Sequence, residues 1–223
     1  MIRIAPDEIR ELVESQSALS EHDLDEMAVP TYTHTNPLAR WIFWKRHATI
    51  LRLASVGQGD RVLDFGTGTG ALLPTLSSLG AVLHATDIRD AVARLLVAHF
   101  GLHVTFHPAL SLDESIEDDS MDVIIAADVL EHIEEPELSE YMQLFARKLA
   151  PQGKLILSVP TENVLYKFGR AVAGFSEKGH YHRTGIKELR LAARQADFSE
   201  ILSRQIPMPG PGCLFHVSSS QVR

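Results

Sequence analysis

The run Val62-Leu63-Asp64-Phe65-Gly66-Thr67-Gly68-Thr69-Gly70 joins an apolar stretch to an acid and then to glycine at every second position. Such a run reads as a strand turning sharply into a helix, with Val62, Leu63 and Phe65 suited to a buried parallel strand. Glycine lets the backbone bend and lie flat against a ligand where a Cβ would clash. A helix beginning near Gly70 points free N–H groups at that ligand. The chemistry this suggests is nucleotide binding, and two spacings compete. As Gly66-x-Gly68-x-x-Ala71 the loop fits a dinucleotide fingerprint, with a pyrophosphate on the helix N-terminus. As Asp64-x-Gly66-x-Gly68-x-Gly70 it places a carboxylate inside the loop, which repels a pyrophosphate but suits a cation carrying an ammonium and a sulfonium.

Further along, Val82-Leu83-His84-Ala85-Thr86-Asp87 is a second strand ending in an acid. In a doubly wound sheet that position faces ribose hydroxyls, where a carboxylate accepts two hydrogen bonds. Ile88 would flank an adenine. The competing role for Asp87 is to cap the helix that follows.

The Asp64 to Gly70 spacing resembles motif I of the class I S-adenosylmethionine-dependent methyltransferases. Ser120-Met121-Asp122-Val123-Ile124-Ile125-Ala126-Ala127-Asp128-Val129-Leu130-Glu131-His132-Ile133 resembles the fourth-strand motif of their small-molecule members. The resemblance runs from about residue 55 to 220. It implies an α/β fold, a doubly wound Rossmann-like seven-stranded sheet with an antiparallel final strand, plus an N-terminal helical lid. Residues 1–55 would be the lid segment and 56–223 the cofactor-binding domain. It also implies S-adenosyl-L-methionine as cofactor and S-adenosyl-L-homocysteine as product. Asp64, Gly66, Thr67, Gly68 and Gly70 would form the cradle, Asp87 and Ile88 would meet ribose and adenine, and Asp128 and Val129 would line the methionine part. The family usually carries an acid and a small residue after the third strand. Here that stretch is Pro108-Ala109-Leu110-Ser111, so Leu110 and backbone groups would hold the adenine, with Ser111 as side-chain donor.

The resemblance further implies methyl transfer to a small-molecule or lipid-like acceptor. Oxygen is the target that the family resemblance implies; the Asn-Pro-Pro-Tyr motif of amine sites is absent, and Cys213, the only cysteine, lies in a predicted strand. His132 could face the transferred methyl or brace its loop. Gly179-His180-Tyr181-His182-Arg183-Thr184 resembles the family's acceptor-site loop, and His132 or His180 is the expected base. No metal is expected, since His180 and His182 lack a predicted convergence with His132. Two competing readings are an NAD(P)-dependent Rossmann oxidoreductase and a methyltransferase-like binding protein without turnover.

The elements that must position these residues alternate: strand 61–66, helix 70–79, strand 82–87, helix 90–100, strand 103–107, strand 122–127, helix 136–149 and strand 154–159. That alternation implies a parallel sheet with helices on both faces. Gly80, Gly101 and Gly153 read as helix stops and Pro74 as a first-turn proline. The acidic run Asp113 to Asp122 reads as a solvated loop. A helical insertion is expected at 164–175, then a helix from Ile186 to Ala196. Phe198–Ile206 and Cys213–Val217 read as a final hairpin with an antiparallel edge strand.

Residues 6–28 read as a polar helix or helix pair. A helix over 38–54 is expected to bury Leu38, Trp41, Ile42, Trp44, Ala48 and Leu51, with Lys45, Arg46 and Arg52 between them. Packed as a lid over the site, it would offer Tyr32 and Arg46 as contacts. Its Trp, Phe and cations could also lie on a membrane surface.

Composition sets outer limits. With 223 residues and a formal charge of −8, the chain suits one α/β domain and lacks the cationic surface that nucleic acid requires. The single cysteine, Cys213, and the absence of a signal or spanning segment point to a cytoplasmic protein.

Overall fold

Strand β1 (Arg61–Phe65) pairs in parallel with β2 (Val82–Asp87) on one side and β4 (Met121–Ala127) on the other. The computed structural model describes residues 1–14, 24, 29–161 and 184–222. With β3 (Val104–Pro108), β5 (Leu149–Pro160), β6 (Phe198–Ile206) and β7 (Phe215–Val222), these strands form one seven-stranded sheet in the order β3-β2-β1-β4-β5-β7-β6. The antiparallel strand is β7, the last in the chain, as expected. It lies between β5 and β6 rather than at the edge, bonded on both sides, so β6 is the edge strand.

Because side chains alternate along a strand, the sheet divides its apolar residues between two faces. Val62, Val123, Ile125, Ile156 and Val217 pack against α3 (Pro37–Ala54) and α4 (Leu73–Ser78). Leu63, Phe65, Ile124, Leu155 and Leu157 pack against α7 (Glu135–Lys148) and α8 (Ile186–Gln195). A smaller third cluster joins α1 (Pro6–Glu14), α2 (Val29–Thr33), Trp44 of α3 and Val92 and Leu96 of α5 (Ala91–His99). A short helix, α6 (Leu112–Ser115), follows β3.

Helix α3 starts where Asn36 accepts the Leu38 N–H at 2.9 Å and Pro37 takes the first turn. Its buried side differs from the expected one. Trp44, Arg46, His47, Ile50 and Leu53 are inside, whereas Leu38 and Trp41 are exposed. The charged and imidazole side chains find partners within the fold, Asp128 for Arg46 and Tyr32 for His47, which rotates the helix away from its purely apolar stripe.

Three other expectations are revised. Helix α4 begins at Leu73 rather than Gly70, because Gly70 N–H donates to Thr67 C=O at 2.8 Å and a turn intervenes. Gly153 stops no helix. It lies inside β5, where a Cβ would sit 2.8 Å from the Ala150 carbonyl oxygen. The acidic run is not simply solvated, since Asp113 and Asp118 hold the buried Lys148 ammonium at 2.8 and 2.6 Å and Asp122 accepts the Arg61 N–H. The expected insertion at 164–175 lies outside the described residues.

Candidate cofactor and acceptor site

The carboxyl ends of β1, β2 and β4 converge on one edge, the place where open α/β sheets bind ligands. Beyond β1, Gly66, Gly68 and Gly70 all adopt positive φ, at 72°, 53° and 75°, a conformation that only glycine enters freely. The N–H groups of Gly66 and Thr67 donate to Thr86 C=O at 2.9 and 3.2 Å, fixing the loop to β2. At Gly66 a Cβ would lie 2.5 Å from Val129 Cγ2, and at Gly70 one would lie 3.2 Å from Ala93. Packing against the protein therefore demands these two glycines, in place of the ligand clearance the sequence suggested.

Three carboxylates stand around the loop. Asp64 is buried, and its carboxylate accepts the Thr67 hydroxyl at 2.7 Å. Burial pushes its pKa up to about 6, against the Thr67 hydrogen bond and with help from the Asp87 charge. Asp87 accepts the Gly68 N–H at 2.7 Å with one oxygen and the Arg89 N–H at 2.9 Å with the other. It therefore ties the glycine loop to the turn after β2, while Asp90 occupies the N-cap of α5 and turns its carboxylate to Arg94 instead of capping the helix. Burial raises the Asp87 pKa as well, opposed by those backbone hydrogen bonds. Asp128 follows β4 in a left-handed conformation, φ 55°, with its N–H on Ser158 C=O at 2.8 Å.

Ile88 and Leu110 are 81% and 100% exposed, past the ends of β2 and β3. Two bare apolar side chains beside Asp87 suit a flat aromatic group such as an adenine. Ser111, half-buried, closes the short 3₁₀ turn Ala109–Ser111 that carries Leu110.

The N-terminal helices bring a buried polar cluster that sequence reasoning named only in part. Arg46, 4% exposed, forms an ion pair with Asp128, and its guanidinium lies against the paired rings of Phe43 and Phe215, 5.2 and 4.8 Å from their centroids. The Tyr32 hydroxyl and His47 Nε2 are 2.9 Å apart. Burial raises the Tyr32 pKa, opposed by the charge of Arg46. Burial also lowers that of His47 well below the ordinary value, and Arg46 adds to that lowering. His47 was missed because a histidine among aromatic helix residues gives no distinct signal. Within this cluster Arg46 Nε and Asp128 Oδ1 are buried without a hydrogen-bond partner. An α-amino acid group supplies what they lack, a carboxylate for the one and an ammonium for the other. The amino-acid end of S-adenosylmethionine fits these residues on that ground.

His132 is exposed on the 3₁₀ turn Leu130–His132 that follows β4. Beside it Glu131 is 3% exposed and lines a cavity of about 200 Å3 with Pro160, Thr161 and Thr184. Thr184 closes the cavity by donating its N–H to Glu131 C=O at 3.2 Å and its hydroxyl to Ile133 C=O at 2.5 Å. Glu131 was missed as a functional candidate; its only signal is an acid set inside an apolar segment. His180 and His182 lie outside the described residues. Among the described residues no three His, Cys, Asp or Glu side chains gather as a metal site.

Comparison with known proteins agrees with this geometry. A family described as a methyltransferase domain matches residues 38–203. The ubiquinone biosynthesis O-methyltransferase of Xanthomonas euvesicatoria pv. vesicatoria is 33% identical over 145 residues, 60% of each chain. Its mitochondrial counterpart in Schizosaccharomyces pombe is 26% identical over 171 residues, 67% of this chain and 62% of that one. The chain thus spans about three fifths of the length of these relatives. Among solved structures, magnesium protoporphyrin IX methyltransferase from Synechocystis PCC 6803, with bound SAH, shares the fold at TM-score 0.66 and 18% identity, over 95% of this chain and 99% of that one.

Proposed function

The chain belongs to the methyltransferase domain family, and from that premise we propose that it moves the methyl group of S-adenosylmethionine to a hydroxyl oxygen of a small, lipid-like acceptor. The observation that carries the reading is the complementary pair of orphaned atoms, Arg46 Nε and Asp128 Oδ1, beside the glycine loop. A dinucleotide offers no α-amino acid group for them, which disfavours the NAD(P) reading. Oxygen as target and a lipid-like acceptor are supported by the names of the relatives, which are O-methyltransferases of ubiquinone biosynthesis.

When bound, the cofactor supplies a methyl group activated by its sulfonium. The protein's work is to hold donor and acceptor in line and to exclude water. Arg46 and Asp128 grip the amino-acid end, Asp87 accepts the ribose hydroxyls, and Ile88, Leu110 and Ser111 border the adenine. Residues 1–55 act as the lid and 56–223 as the cofactor-binding body. His132, or His180 from the stretch of sequence after β5, takes the hydroxyl proton as the oxygen attacks. Leu38 and Trp41, exposed on α3 with the Lys45 ammonium 4.8 Å over the Trp41 ring, support a peripheral contact with the membrane that would hold such an acceptor. No helix among the described residues is long and apolar enough to cross that membrane.

The test has two stages. S-adenosylhomocysteine should raise the thermal midpoint and NADH should not; the reverse result rejects the proposal. A donor labelled in its methyl group is then offered with phenolic quinone precursors and with amines, and the products are read by mass spectrometry. Label on oxygen is expected. Label on nitrogen, or cofactor binding without transfer to any acceptor, would leave only the family assignment standing.

A further inference from the structure

Strand β7 carries a polar row on a covered face. His216, Ser218 and Ser220 alternate along one side of it, opposite Val159, Leu157 and Leu155 of β5, while Phe215 and Val217 on the other side join the α3 core. Interior strands ordinarily present apolar side chains to a covering helix, and a buried polar group without a partner is costly. All three residues are buried, and they line a cavity of about 400 Å3 beneath α8. The cavity lies on the face of the sheet away from α3, apart from the Arg46–Asp128 cluster.

Its walls differ in chemistry. Leu157, Val159, Leu189 and Phe198 form an apolar side, and Arg190 and Arg194 of α8 stand with the β7 row. Arg190 Nη2 donates to Glu200 at 3.2 Å and to His216 Nε2 at 3.0 Å. A nitrogen that accepts from a guanidinium carries no proton, and burial, followed by the Arg190 charge, lowers the His216 pKa, so this imidazole is neutral. Arg190 is balanced by Glu200. Arg194, one turn further along α8, has no side-chain hydrogen bond or ion pair to any described residue. One exposed guanidinium is therefore left without a partner among the described residues, at the rim of a cavity that also offers hydroxyls and an apolar wall.

We propose that this cavity is a second binding site, for a small carboxylate with a short hydrocarbon body. The carboxylate pairs with Arg194 and accepts hydrogen bonds from the Ser218 and Ser220 hydroxyls, and the hydrocarbon lies on the Leu157, Val159, Leu189 and Phe198 side. A single residual charge selects a monoanion over a phosphate dianion. The size is within the range of small-molecule pockets.

Hexanoate, hexanol and inorganic phosphate are titrated into the full chain while its amide resonances are followed. Saturable shifts in α8 and β7 are expected with hexanoate, with clearly weaker binding of the other two. Arg194→Gln should weaken hexanoate about tenfold, the loss of one charge-assisted hydrogen bond, and leave S-adenosylhomocysteine affinity unchanged. Arg194 is exposed, so this variant keeps its fold; Ser218→Ala is the second probe and should weaken hexanoate as well. The proposal is overturned if hexanol or phosphate binds as tightly as hexanoate, or if the shifts fall around Asp87 and Asp128. It is equally overturned if hexanoate produces no saturable shift, or if both variants retain wild-type affinity.

Discussion

The guanidinium of Arg46 meets the carboxylate of Asp128 across the gap between α3 and the end of β4. This contact joins the N-terminal helices to the edge of the sheet where the cofactor is proposed to bind. The contact belongs to the fold, and the proposed cofactor site draws on the same two groups.

Removing either partner leaves the other charge poorly paired. Arg46→Gln and Asp128→Asn should each lower stability by about 2–3 kcal/mol, below the value for a fully buried pair because Asp128 is partly exposed. Both should weaken S-adenosylhomocysteine by about tenfold or more. The double variant should lose less than the two single losses added together, as urea titration of the full cycle would show.

Asp64 makes a pH dependence. An acid whose pKa is raised in the folded state adds stability that is fully present below its ordinary value near 4 and is lost as pH rises through about 6. In the cofactor-free protein Asp64→Asn should therefore have a higher urea midpoint than the wild type at about pH 8, and a similar one at about pH 4. The ionised form suits a cationic ligand, so calorimetry should find S-adenosylmethionine affinity falling below about pH 6 in the wild type. The fall should be flatter in Asp64→Asn.

Gly66 faces Val129 rather than open space. Gly66→Ala should cost about 1–3 kcal/mol from overpacking, with a further penalty for its positive φ. Adding Val129→Ala should restore part of the loss, the part due to the Val129 Cγ atoms, since Val129 Cβ still lies 2.6 Å from the new Cβ. A double variant as unstable as Gly66→Ala alone would place the cost in the backbone and in that remaining Cβ contact.

Asp87→Ala removes two acceptors from backbone N–H groups. Hydrogen bonds to a charged group contribute about 1.5–3 kcal/mol each, so both melting midpoint and cofactor affinity should fall. Asp87→Asn, which keeps one acceptor oxygen, should recover part of the midpoint. Unchanged affinity beside a lowered midpoint would limit Asp87 to a role within the loop.

His84 Nδ1 and His107 Nε2 are 2.9 Å apart in a stacked pair, with His107 Nδ1 3.1 Å from Ser115 Oγ of α6. Burial, then the charges of His107 and Arg61, lowers the His84 pKa to about 4. A depressed base adds stability that is fully present above about 6.5 and is lost as pH falls through 4. His84→Gln should flatten the urea midpoint across that window, and wild-type slope in the variant would assign the acid sensitivity elsewhere.

The alternation from β1 to β5, the acid within the glycine loop and the acid ending β2 were legible because each is a local pattern with a local cause. The burial of Arg46 and Lys148 was not, because a charged residue reads as exposed until its partner is known, and Asp128, Asp113 and Asp118 are distant in the chain. The same gap misplaced the buried side of α3, where Arg46 and His47 take positions that an apolar stripe would claim. The interior place of β7 escaped notice because strand order depends on crossovers and not on the strands' own residues. Glycine was read correctly at Gly66 but for the wrong neighbour, since nothing local announces Val129.

Helix α3 belongs to two cores at once. Its Ile50, Leu53 and Ala54 share the main core with β1, β4 and β7, while Trp44 lies in the small cluster with α1 and α2. Native-state hydrogen exchange should therefore divide this helix, with amides near Ile50 opening only in global unfolding and those of α1 and α2 opening in a smaller, cheaper unit. The passage of ligands would then be timed by that unit, and substitutions at Ile9 or Val29 should change exchange rates of the cofactor without altering the resistance of the sheet.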